Sequence, residues 1–462
     1  MKNIILYIMA IVFVLNATAQ EKELPPKGGK PKDFKLPEKQ TISLENGLEL
    51  VMVPYGAIPK ATINIRIKTG NIHEKENQVW LSDLLADLME EGSETSDAKS
   101  ISNTMASMGG NLNIYVNSHA TTLNTNVLSE YAGKAIFTMA DVLMHPKWPT
   151  SDLDRLKNDM KRSLTIRLSR PQAQVSKDFY AAIYPNHPYG NIYPTEEMID
   201  SYTIDNIKQF YKANFGAKRT VVYVVGKFDA SEVEKAVKET FAVWKEGPEV
   251  QYPQATPVTK HEVKIIDRPG APQSTIMYGL PTIDPSNPDY LALSITNSLL
   301  GGSFGSRITS NIREDKGYTY SPYSNLQSNY KTGVWYESAD VTSQYTGASI
   351  EEIKKEIYKL QDSIPSKEEL SGIKNYVSGV FVLQNSTPSG IVNQLSFLDL
   401  HELPESWLEN KVKNIMELTP EQITEMTKKY IKPEGMTLIV VGDKEKIKYQ
   451  LRETFEKDSL EK

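Results

Sequence analysis

The chain has no cysteine. Disulfides, thiolate-bound metal and a thiol nucleophile are therefore excluded. Histidine is sparse too. The six are His73, His119, His145, His187, His261 and His401, no two within five residues of each other, so neither H-E-x-x-H nor H-x-x-E-H can be read anywhere. A basic excess is also missing: 58 acids stand against 52 bases, a formal charge of −6, and nothing recommends nucleic acid or an anionic membrane surface as partner. Beyond the N-terminus no apolar run approaches the roughly 20 residues of a membrane-spanning helix. What remains is a chain of 462 residues, 39% hydrophobic and 24% charged, too long for one core and suited to two or three domains.

The N-terminus has its own pattern. Lys2 precedes a nearly unbroken apolar run at 4–15, and Ala17, Thr18 and Ala19 place small residues before Gln20. Residues 1–19 read as a secretory signal peptide rather than an uncleaved anchor, which predicts export, with the periplasm as the expected compartment. Residues 20–40, rich in Lys, Glu and Pro, are expected to form an extended, exposed lead-in.

The fold begins at residue 41. Asn46-Gly47 between alternating apolar residues is a strong hairpin signal, and Ile63, Ile65 and Ile67 alternate with polar residues as in a half-buried strand. A helix from Leu81 follows. A second is expected over 96–108 with Ser96 as its cap, then strands near 111–118 and 121–128, four helices, and the buried strand TVVYVVG at 220–226. Strands followed by helices and a returning strand make this α+β. The pattern recurs: TLIVVG at 437–442 repeats the closing strand, and both following helices end Glu-Thr-Phe, at Phe241 and Phe455. The second unit has expected strands at 273–280, 318–326 and 332–340 and helices at 287–300, 347–361 and beyond 366. Two homologous domains are expected, at 41–246 and 261–457, each a mixed, mostly antiparallel sheet packed with helices. A proline-containing linker at 247–260 joins them.

One helix raises a chemical question. In LSDLLADLMEEGS, residues 81–93, Leu81, Leu84, Leu85 and Leu88 form an apolar stripe, while the polar face carries Asp83 and Asp87. Like charges four apart on a helix repel by a few tenths of a kcal/mol. By itself the pair reads as a solvated face, the alternative being a weak site for a hard ion such as Mg²⁺ or Ca²⁺. His73-Glu74 lacks a second histidine and reads as a loop pair.

The context of that helix is distinctive: a strand, Gly70, the helix, a second helix, then Gly109-Gly110 and Asn113. Together with Asn46-Gly47-Leu48, the run NHPYG at 186–190, PDYLAL at 288–293 and LGGSFGSR at 300–307, it resembles the insulinase, pitrilysin and mitochondrial processing peptidase family, the inverted zincins. The resemblance covers nearly the whole mature chain and implies a clamshell half built from two such domains. In that family two histidines and a distal glutamate hold zinc and a further glutamate activates water. Here the matching positions are Asp83, Ala86 and Asp87, with Ser163 nearest the distal glutamate and Asp159 one turn before it. No metal is expected on this chain, and no general base. The second unit matches the family's arginine/tyrosine motif at Arg313 and Tyr320, which in relatives reach across the chamber to substrate. The resemblance also marks Gly301, Gly302 and Gly305 as a substrate-handling loop and Asn113 as part of an edge strand that takes a peptide. For the glycine loop a flexible turn between helices remains the plain alternative. The function implied is a noncatalytic subunit of a zinc metalloendopeptidase that pairs with an H-x-x-E-H subunit, which would hold the zinc, and lends it Arg313 and Tyr320. The competing readings are a peptide-binding or scaffold protein and, more remotely, a self-sufficient peptidase with other ligands.

Overall fold

The structure, a computed structural model, describes residues 34–460; the signal peptide and most of the lead-in read from the sequence lie outside the described residues. In the first half, β1 (Gln40–Ser43), β2 (Glu49–Pro54), β3 (Lys60–Ile67), β4 (Asn113–Val116), β5 (Thr121–Leu128) and β6 (Thr220–Gly226) form one sheet in the order β1-β2-β6-β3-β5-β4. Only β2 and β6 run parallel; every other neighbouring pair is antiparallel. The expected hairpin is there, with Ser43 opposite Glu49 and Gly47 at φ 88°, a left-handed conformation that glycine adopts without strain. The second half repeats the plan with β7 (Glu262–Asp267), β8 (Gln273–Thr282), β9 (Tyr323–Asn329), β10 (Thr332–Thr342) and β11 (Thr437–Gly442), ordered β7-β11-β8-β10-β9 with β7 and β11 parallel. The fold is thus two α+β domains, each a mixed, mostly antiparallel sheet packed with helices. Among the described residues no helix is long and apolar enough to cross a membrane.

The continuous apolar runs of β6 and β11 have a tertiary cause. The helices of the first half used here are α1 (Leu81–Glu90), α2 (Ala98–Ser107), α3 (Ala132–Met144), α4 (Thr150–Leu168), α5 (Pro171–Ile183), α6 (Ile204–Asn214) and α7 (Ala230–Phe241). Those of the second used here are α8 (Tyr290–Leu300), α9 (Thr346–Asp362), α10 (Lys367–Gln384) and α11 (Pro388–Leu400). Val222 and Val224 point into their own domain's core, while Val221, Tyr223 and Val225 meet Ile391, Val392 and Leu395 of α11 from the other half. Reciprocally, Val175, Phe179 and Ile183 of α5 cover Ile439 and Val441 on the outer face of β11. Each half lends one helix to the other's sheet, so both faces of the closing strand are dry and every position becomes apolar.

The segment 247–260 is a docked strap. The buried Arg219 guanidinium donates to Pro248 O at 3.3 Å, Glu249 O at 2.7 Å and Thr69 Oγ1 at 3.1 Å. His73 Nε2 lies 2.9 Å from Gln251 O, His187 Nε2 3.2 Å from Pro253 O, and Val258 N donates to Ile183 O at 2.8 Å. A Lys68–Asp399 ion pair of 2.6 Å adds a further tie between the halves.

Four sequence expectations need correction. The second helix begins at Ala98, because Asp97 supplies the cap to Ser100 N at 2.7 Å in place of Ser96. The strand expected from 318 begins at Tyr323, since the chain leaves a π-helical turn at Ser310–Asp315 and closes Tyr318 N onto Ile312 O at 2.9 Å first. Strand β7 has no counterpart in the sequence reading: Glu262, Lys264 and Asp267 hide a strand whose pairing is supplied by β11. The end of the lead-in is not exposed throughout. Phe34 stacks edge-on against Phe381 of α10 at 4.9 Å and Leu36 packs near Leu398 and Leu408, because apolar side chains scattered among lysines still find a groove.

Candidate functional site

Helix α1 is set by its buried stripe, with Leu81, Leu84, Leu85 and Leu88 at 0% exposure, and by an unusual start. Trp80 takes a left-handed φ of 67° and offers no side-chain cap. Glu74 caps in its stead: its carboxyl accepts from Trp80 N at 3.0 Å and Ser82 N at 2.8 Å, and from the Ser82 hydroxyl. Burial pushes the Glu74 carboxyl up to about 7, with the nearby Asp83 adding to it and the Ser82 hydrogen bond opposing. So the His73-Glu74 pair does not act as a metal pair. His73 holds the strap, and Glu74 holds the helix.

Asp83 is not a solvated side chain. It is half-buried and accepts from Asn71 Nδ2 at 2.7 Å. Burial raises its pKa, while Asn71 and the Arg167 charge draw it back. Asp87 reaches solvent, yet surrounding protein and then the charges of Asp83, Glu90, Asp159 and Glu91 push it up to about 6. Ala86 sits in the core at 4% exposure. Ser163 lies exposed on α4, one turn from Asp159 and one from Arg167, and the charges of those two reach Asp87 and Asp83 of α1. Asp159 is engaged by Arg162 at 2.9 Å and Arg155 at 3.5 Å, and the Arg167 guanidinium lies 5.7 Å from the Trp80 ring centre. This donor set does not fit zinc. Asp83 is occupied by an amide, Asp159 by arginines, Ser163 is no ligand, and Ala86 offers no base. Among the described residues no three His, Asp or Glu side chains come together as a metal would require.

This face carries a pH signature. An acid whose folded pKa is raised keeps its proton in the folded state after the unfolded chain has lost it, so folding stability falls as pH rises. For Asp87 the loss runs from about 4 to about 6. Asp87→Asn is expected to melt higher than the parent at pH 7 and to match it near pH 4, the gap narrowing in high salt because neighbouring charges contribute to it. Thermal melts across that range decide it; a gap independent of pH refutes the assignment.

The edge strand β4 carries Asn113, exposed and accepting from Asn111 Nδ2 at 2.8 Å. Asn117 N donates inward to Ala120 O at 2.9 Å, so Ile114 and Val116 turn their amides outward. An internal group has already taken one of them: Ile114 N donates to Glu90 Oε1 at 3.1 Å. An added strand here would have to displace that carboxylate.

On the second half, Arg313 stands on the π-helical turn Ser310–Asp315, held by Lys316 N to Asn311 O at 3.0 Å, a widened turn of the kind often found at functional positions. The fold brings Arg313 and Tyr320 together, with the guanidinium carbon 4.9 Å from the Tyr320 ring centre and the ring 78% exposed. It also brings the glycine loop to them, because the same guanidinium lies 4.5 Å from the ring centre of Phe304. Gly301 and Gly302 have a structural reason to be glycine: a Cβ at Gly301 would come within 2.6 Å of Glu337 Oε2 and Ser324 Oγ, and one at Gly302 within 2.5 Å of Asn297 Nδ2. Gly305 would meet nothing within 4 Å. So two of the three glycines are accounted for by packing.

Sequence reading passed over Arg167, Arg219 and Glu337, took Glu74 for a loop residue beside His73, and quoted Phe304 only as part of the glycine loop. Only Phe304 left a local signal, as the one large apolar residue among glycines and serines. Besides His187 of the NHPYG run, which holds the strap, His119 serves packing: its Nε2 lies 2.7 Å from Tyr189 Oη, and burial depresses it to about 3.

Comparison with known proteins agrees with this architecture. A model of the insulinase family, peptidase M16, matches residues 52–195, and one described as the peptidase M16 inactive domain matches residues 201–377. The chain has the M16, or insulinase, family fold and carries an inactive M16 domain. A Bacillus subtilis protein named "Uncharacterized zinc protease YmxG" is 26% identical over 353 residues, covering 73% of this chain and 82% of its own. The Helicobacter pylori "Non-peptidase homolog YmxG" is 22% identical over 395 residues, covering 85% and 91%. Among solved structures, a peptidase M16 inactive domain from Pseudomonas fluorescens superposes with a TM-score of 0.81 at 24% identity over 87% of this chain and 98% of that one. A protease from Helicobacter pylori does so at 0.81 and 18% identity over 88% and 100%.

Proposed function

We propose that this chain is an exported, noncatalytic subunit of a zinc metalloendopeptidase. It pairs with an H-x-x-E-H subunit, which holds the zinc, and supplies Arg313 and Tyr320 to the peptide being cleaved. The observation that carries the reading is a contrast between the halves. The first presents Asp83, Ala86 and Asp87, which can neither hold zinc nor activate water. The second presents a half-buried arginine whose guanidinium lies beside an exposed tyrosine. A guanidinium forks onto a peptide carbonyl, and a phenol donates to the oxyanion of a tetrahedral intermediate, so this pair can assist a metal centre it does not own. The relative named a non-peptidase homolog agrees with the absence of intrinsic hydrolysis, and the Glu90–Ile114 contact disfavours peptide capture on the first half as the main role.

The test is hydrolysis of a mixed fluorogenic peptide set by the purified chain, alone and titrated with the H-x-x-E-H protein of the same organism. Turnover is expected only in the mixture, saturating at a fixed stoichiometry. Chelator-sensitive cleavage by the chain alone contradicts the loss of the zinc site. Saturable peptide binding without turnover in any mixture favours a binding protein instead.

A further inference from the structure

A single exposed apolar side chain calls for no explanation. Phe304, 71% exposed and outside the buried clusters of either half, is distinguished by what lies on it. The Arg313 guanidinium carbon sits 4.5 Å from its ring centre and 4.9 Å from that of Tyr320, which places the cation against two aromatic rings contributed by two separate segments. The one carboxylate in ion-pair reach of Arg313 among the described residues is its exposed neighbour Glu314, at 3.1 Å.

The loop that carries Phe304 is fixed at both roots. Gly301 N and Gly302 N both donate to Asn297 O, at 3.0 and 2.8 Å, over buried side chains that leave no room for a Cβ. On the far side Ser306 N donates to Ser303 O at 3.1 Å, Ser306 Oγ to Thr309 Oγ1 at 2.9 Å, and Arg307 forks onto Glu369 at 2.7 and 2.8 Å. The tip therefore places the ring reproducibly. A surface arginine without such a frame spreads over many rotamers, and ordering it at the moment of binding costs entropy.

We infer that Phe304 is a positioning residue for Arg313, holding the guanidinium plane against its ring so that the N–H edge is aimed before a peptide arrives. This deepens the proposed function and rests on Arg313 as the substrate-facing cation. Two readouts separate the claims. The first needs no partner: in protein labelled at arginine side chains, the Arg313 Nε–H resonance, identified by its loss in Arg313→Lys, carries ring-current shifts. Phe304→Ala is expected to move it downfield, Phe304→Leu likewise, while Phe304→Tyr leaves it near the parent position. The second is turnover in the two-component mixture, where Phe304→Ala is expected to lower kcat by about tenfold with little change in KM, and Phe304→Tyr to restore it. An unmoved resonance in Phe304→Ala overturns the inference. So does parental turnover by Phe304→Ala in a mixture that Arg313→Ala silences. If no mixture turns over, the proposed function falls and the resonance alone decides what Phe304 does.

Discussion

Arg313→Ala is expected to reduce peptide turnover by the two-component enzyme by about 10²-fold or more, and Tyr320→Phe by a comparable factor, while the chain alone stays inactive in every form. The scale is that of removing one preorganised donor from a developing oxyanion, roughly 10² to 10³ in rate. Tyr320 is exposed, Arg313 is half-buried beside its ring, and neither belongs to a core cluster, so truncation leaves the fold intact. The kinetic pattern identifies the role. If Tyr320 donates only to the transition state, kcat and kcat/KM fall together. If Arg313 also grips the ground-state carbonyl, its removal raises KM as well. Arg313→Lys is expected to rescue only part of the loss, because an ammonium cannot reproduce the bidentate fork. Undiminished turnover by both truncations would remove the second half from the chemistry and leave this chain a structural subunit.

Glu337→Leu is expected to stabilise the isolated chain by about 1–3 kcal/mol at neutral pH, the scale of a buried polar group left unsatisfied. Glu337 on β10 is 0% exposed, and neither of its carboxyl oxygens finds a hydrogen-bond partner among the described residues. Burial drives its pKa well above 4.5; the Tyr323 amide lies near enough to oppose this in part, though not in hydrogen-bonding geometry. The folded chain therefore holds a proton that the unfolded chain releases, and stability declines as pH climbs from the ordinary glutamate range toward the folded value. Leucine removes both the orphaned oxygens and the titration. Glutamine removes only the titration and is expected to fall between the two. Denaturant midpoints at pH 5 and pH 8 test this: the advantage of Glu337→Leu must grow with pH, and a constant or negative difference means the carboxyl has a partner in solution. The position is under the root of the glycine loop, against Gly301, so an acid there costs stability next to the segment that carries Phe304.

Much of the architecture was legible in sequence because its causes are local. The hairpin at Asn46-Gly47, the alternation of Ile63, Ile65 and Ile67 and the duplicated closing strand are patterns of period two and turn chemistry within a few residues. The lack of an imidazole pair was legible for the same reason: Asp83 and Asp87 stand four apart on one helix face with Ala86 between them, and that these are not the residue types zinc chemistry uses is read without reference to any other element. What escaped depended on distant partners. Strand β7 looks polar because its strand identity comes from pairing with β11, and Glu74 reads as a loop acid until the chain folds it onto the start of α1.

The sequence by itself thus determined two α+β units in tandem, a helix face without imidazole, and an arginine and tyrosine seven residues apart. Only the tertiary structure decided that each unit completes the other's sheet with one helix, that the intervening segment is clamped by Arg219 and histidines, and that Phe304 meets Arg313. The reason is physical. Spacing along one helix or strand fixes which side chains share a face, but burial, unpaired carboxyls and stacked cations are properties of surfaces brought together from far apart in the chain, and only the folded packing sets them.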